Sequence, residues 1–77
     1  MNSKKLEKAA DVIDYIAFMI NDFAEKHNLS MRQSFDYLYK YGGLAFLDRH
    51  YAVEHVENPL ITLDSLQRIC EREGGNL

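Results

Sequence analysis

The densest group of reactive side chains in the sequence is His50, Tyr51, Glu54 and His55. On a helix, His50 and Glu54 stand one turn apart, a spacing that lets them chelate one ion or share a proton. A zinc site needs neutral imidazoles and a further ligand, and the metalloprotease signature places its two histidines four apart on one face. Here they are five apart and diverge. The expected arrangement is therefore a helix-end network in which Glu54 accepts from His50, with contact to a partner as the next reading. A metal-dependent enzyme built on His50, Glu54 and His55 ranks below both, and no metal ligands are assigned.

Cys70 is the single cysteine. It falls on an apolar helical stripe, where a thiol stays protonated and inert. Gly42-Gly43 lacks the lysine and spacing of a phosphate-binding loop. Neither paired carboxylates nor a Ser-His-Asp order stands out, so the expectation is a protein that is not an enzyme and needs no cofactor.

Composition narrows the classes further. The chain has 77 residues, enough for one domain (1–77), and its 47% hydrophobic content is that of a globular protein. A domain this small buries only about 60% of its unfolded surface and usually leans on a disulfide, a metal or a partner. One cysteine rules out an internal disulfide, which favours a partner subunit or a homodimer. The lone thiol and the lack of a signal-peptide pattern at the start point to the cytoplasm. No apolar run is long enough for a membrane span, since Asp14, Asn21 and Asp22 interrupt the longest. Nine basic against twelve acidic residues give a net charge of −3, the wrong sign for a dedicated nucleic-acid binder.

The elements that must position these residues are helical. Leu6, Ala9, Ala10, Ile13, Ile16, Ala17, Ile20, Phe23 and Ala24 recur at spacings of three and four, predicting a helix over 4–27 with one apolar stripe. Glu7, Asp11, Asp14, Asp22 and Glu25 lie off it, and Asn28 is a left-handed stop. Ser30 and Gln33 form a capping box for a second helix over 30–41, with Phe35, Leu38 and Tyr39 on one face. The alternation of Phe35, Tyr37, Tyr39 and Tyr41 also fits a strand, but the cap and the terminal glycines favour helix. A third helix over 44–55 carries Leu44, Phe46, Leu47, Tyr51 and His55 on one side and ends before Pro59. A last helix opens at Thr62, with Leu63, Leu66, Ile69 and Cys70 as its stripe and Gly74 as its cap. Four helices with short connections predict an all-α bundle.

Helix, short turn, helix over 23–41 also has the outline of a DNA-reading helix-turn-helix. Its recognition helix would present Arg32, Gln33, Ser34 and Lys40, yet also Asp36 toward phosphate. A repressor acting on DNA is thus the rival reading.

The feature weighed most is Phe18, almost opposite the centre of the first helix's stripe, with Tyr15 and Met19 beside it. Such a face is either wrapped by the rest of the chain or offers a second contact surface. Four helices rarely enclose one of their number completely, so contact with a protein partner or a second copy is preferred over burial within the chain. Tyr37 and Tyr41 on the second helix, with His50, Tyr51, Glu54 and His55, complete the candidate contact residues.

The run from Tyr37 to His55, followed by Leu63-Asp64, Cys70 and Gly74-Gly75, resembles a family of small bacterial proteins known as a domain of unknown function, serial number three-seven-nine-one. The resemblance covers roughly Asp11 to Gly75. Its most specific part is Phe46-Leu47, His50-Tyr51 and Glu54-His55; where the family tends to carry a threonine and a second acid, this chain has Val56 and Ser65. The family has no assigned catalytic residues. The resemblance implies a genomic neighbour that looks like an ADP-ribosyltransferase, and hence an antitoxin or accessory subunit. An acidic helical protein of this kind suits a basic nucleotide cleft.

Overall fold

The computed structural model describes the chain from residue 3 to residue 77, with side chains from residue 8 onward; Leu6 of the predicted stripe and Glu7 off it lie outside the described side chains. It is a small all-α bundle: α1 (Ser3–His27), α2 (Met31–Lys40), α3 (Gly43–Arg49), α4 (Tyr51–Glu54) and α5 (Pro59–Arg72). There is no strand among the described residues, so the tyrosine alternation of α2 is not a strand signal.

Local chemistry explains most helix ends. Asn28 takes φ 59°, and Leu29 N–H donates to the Ala24 carbonyl at 2.8 Å, closing α1 in a Schellman turn. Ser30 caps α2: its hydroxyl accepts from Gln33 N–H at 3.0 Å, while the Gln33 side chain accepts from Ser30 N–H at 2.8 Å. Gly74, at φ 98°, ends α5 with Gly75 N–H donating to the Cys70 carbonyl at 2.8 Å.

Two boundaries depart from expectation. The predicted third helix is broken at His50 (φ −110°, ψ 22°) into α3 and the single turn α4. The last helix opens three residues before Thr62, because Pro59 is its first residue rather than a barrier and the Asn58 side chain accepts from Leu60 N–H at 2.9 Å.

The core joins Met19, Ile20 and Phe23 of α1 to Tyr37 and Leu38 of α2, Leu47 of α3, and Leu63, Leu66 and Cys70 of α5. At 100° per residue, the buried arc of α1 centres roughly 60° away from the stripe read from the sequence. Met19 is therefore fully buried, and Tyr15 packs half-buried against the core. Ala9, Ala10 and Ala17 are exposed instead, and Ile13 is 66% exposed. The cause is stagger. The molecule is 42 Å long and about 20 Å across, α1 alone spans about 37 Å, and the short helices cover only part of it. On α2 the inward face is Ser34, Tyr37 and Leu38, not the expected Phe35 and Tyr39, which are exposed.

Candidate functional site

The break at His50 pulls the predicted cluster apart. The His50 ring turns back onto Phe46, with centroids 5.0 Å apart, and stays exposed. His55 lies on the other side, stacked on Tyr51 at 4.2 Å and 10°. Its Nδ1 lies 2.6 Å from the Tyr51 carbonyl, a distance at which the nitrogen donates. Tyr51 meets Tyr15 edge-on at 5.5 Å, and His55 meets Tyr15 at 6.5 Å. The expected side-chain bond from His50 to Glu54 does not form. Their link is between backbones, Glu54 N–H to the His50 carbonyl at 2.9 Å. Among the described residues, no three His, Cys, Asp or Glu side chains converge as a metal site would require.

Behind this aromatic junction sit two hydroxyls, Tyr15 Oη and Thr62 Oγ1, buried and within hydrogen-bond geometry of no partner. Burial raises the Tyr15 pKa, the Thr62 hydroxyl lowers it, and the charges of Glu54 and Tyr51 raise it again. The group is a packing junction of α1, α4 and α5, with its polar atoms poorly satisfied.

Two candidate contact residues prove internal. Met19 is wholly enclosed, for the reason given above. Tyr37 is 9% exposed, stacks on Phe23 at 5.6 Å, and donates its hydroxyl to the Gly75 carbonyl at 2.9 Å. That bond ties the turn after α5 to α2, and burial pushes the Tyr37 phenol up to about 12. Gly75 must be small here, since a Cβ would lie 2.7 Å from the Tyr41 ring. Tyr41 is half-buried, its ring 5.1 Å from Tyr37. Cys70 is buried, and burial lifts its thiol to about 11, the protonated state expected of it.

Phe18 does face outward, 49% exposed. Asp11, Asp14, Asp22 and Glu25 fall within roughly 40° of it on either side of the helix. All but the half-buried Asp22 are exposed. A single phenylalanine thus stands in a row of carboxylates, with no base on that arc over residues 8–27.

The side chains of the would-be recognition helix are engaged locally. Arg32 pairs with Asp36 at 3.1 Å, Gln33 belongs to the cap, and Ser34 is buried, donating to the Ile20 carbonyl at 2.7 Å. Sequence reasoning missed a different convergence: Lys40, Arg49 and Arg72, each in the last turn of its helix, line one groove beside Tyr41, Phe46 and His50. The available signal was the repeated basic residue at a helix end.

Fold and surface define a small all-α domain in which no helix among the described residues is long and apolar enough to cross a membrane. The chain belongs to the family described as Protein of unknown function (DUF3791), whose model matches residues 10–73. No curated protein and no solved structure matches it.

Proposed function

We propose that the chain is a non-enzymatic, cytoplasmic protein-binding module that docks through the outer face of α1. Its partner presents an apolar pocket with a basic rim. The single observation carrying this reading is Phe18, half-exposed among Asp11, Asp14, Asp22 and Glu25. An exposed aromatic supplies contact area at small entropic cost, while the carboxylates steer a basic partner and reject acidic ones. On this reading the partner is an ADP-ribosyltransferase-like protein, and the chain is its antitoxin or accessory subunit. The basic cleft such an enzyme needs for an anionic nucleotide complements the acidic arc.

The test is capture of the co-expressed transferase by tagged chain, with Phe18→Asp as the variant. Wild type should retain the partner in mild salt and release it as salt rises; Phe18→Asp should keep its helical circular dichroism and retain none. Equal capture by both proteins would overturn the assignment of this face, and no capture by wild type would overturn the partner. The rival DNA-binding reading is disfavoured by the local engagement of Arg32, Gln33 and Ser34.

A further inference from the structure

Charge on this molecule is segregated. Lys40, Arg49 and Arg72 line the groove where the C-terminal ends of α2, α3 and α5 meet, against one lining acid, Glu73. With His50 neutral the lining carries 3 − 1 = +2, while the whole chain carries −3, so everything outside the groove sums to −5.

Among the described residues, none of the three cations forms an ion pair. Cations in a last turn often serve only to offset the helix dipole. Here each of those ends is closed by a backbone donor: Tyr41 N–H reaches the Tyr37 carbonyl, His50 N–H the Phe46 carbonyl, and Gly75 N–H the Cys70 carbonyl. Lys40, Arg49 and Arg72 are all exposed, and their charged ends are left to the groove.

The groove holds about 630 Å³, within the roughly 300–1,000 Å³ of small-molecule sites. A second depression shares Phe46 and Arg72 and adds Arg68, which is paired with Asp64 at 2.6 Å. Rings stand among the cations: Phe46 is half-buried with the exposed His50 ring tilted over it, and Tyr41 carries Lys40 Nζ at 5.3 Å from its centroid.

We propose that this groove binds a nucleotide, with its phosphates on Lys40, Arg49 and Arg72 and its base against His50 and Phe46. Guanidinium groups match phosphate oxygens in bidentate geometry, and imidazole and phenyl faces stack on a planar base. A polyanion such as DNA needs a basic track along its length. The positive lining is confined to one concavity on an otherwise acidic molecule, which selects a compact anion. The groove shares no residue with the Phe18 face, so the two assignments stand or fall separately.

Titration of the full chain with ATP, adenosine and tripolyphosphate tests this, read by amide chemical shifts and calorimetry. ATP should move resonances over 40–50 and 69–73, bind more tightly than either fragment, and weaken as salt rises. Arg49→Ala and Arg72→Ala should each lower ATP affinity by about tenfold, while Lys26→Ala, an exposed cation outside the groove, should leave it unchanged. Shifts confined to other helices, no binding at millimolar ATP, or tripolyphosphate binding as tightly as ATP would overturn the assignment.

Discussion

Met19→Ala and Ile13→Ala, taken together, measure which way α1 faces. The side chains are of similar size, and the apolar stripe read from the sequence includes Ile13 and leaves out Met19. In the fold Met19 is 0% exposed and belongs to the core, whereas Ile13 is 66% exposed. Truncating a buried methionine removes its transfer energy and leaves a cavity, together about 2–5 kcal/mol. Ile13 keeps only about a third of its surface out of water, so its share of the roughly 1.5–3 kcal/mol for full burial is about 0.5–1 kcal/mol. In a domain of this size each kcal/mol moves the melting temperature by about 4–8 °C. Met19→Ala should therefore lower Tm by on the order of 15 °C or leave no folded baseline, and Ile13→Ala by about 5 °C. Urea and thermal melts followed by circular dichroism in dilute solution read both directly. Equal losses, or a larger loss at Ile13, would refute the rotated packing and restore the orientation expected from periodicity alone.

Other outcomes follow from the interior. Tyr37 and Cys70 have folded pKa values of about 12 and 11, raised by burial from the usual 10.0 and 9.0. Raised values mean their stabilising effect is complete below pH 9 and is lost as pH climbs, through Cys70 between 9 and 11 and through Tyr37 between 10 and 12. Urea midpoints measured across that window should fall, and Tyr37→Phe should flatten the upper part of the decline; an unchanged midpoint up to pH 12 would contradict the buried positions. On the other side, burial lowers His27 below 6.5, so its contribution is present above that pH and fades as the solution is acidified. Thr62→Val replaces a fully buried hydroxyl, which sits beside the Tyr15 phenol but outside hydrogen-bond geometry with it, by a methyl group of the same shape. It should raise stability by about 1 kcal/mol in a urea melt; a loss of that size would mean Oγ1 is hydrogen-bonded after all.

Much of this architecture was legible in local chemistry. The capping box at Ser30 and Gln33, the left-handed Asn28 and the glycine stop after α5 act within a few residues of one another, so the sequence alone announces them. Periodicity likewise announced helices and an all-α fold, because a 3.6-residue repeat does not depend on what packs against it. The same locality misled at Pro59, where a residue read as the end of one helix is the first of the next. The His50–His55 cluster failed for a related reason: its spacing holds only on an unbroken helix, and α3 ends at His50.

What the sequence by itself determined was the helical kind of the elements and the caps at Asn28, Ser30 and Gly74. Tertiary packing alone decided the direction in which α1 presents its broad stripe, the burial of Met19 and Tyr37, and the meeting of Lys40, Arg49 and Arg72 in one groove. An apolar arc wider than the contact it makes leaves several rotations open to a single helix. Only the volumes of α2, α3 and α5 settling against it select one.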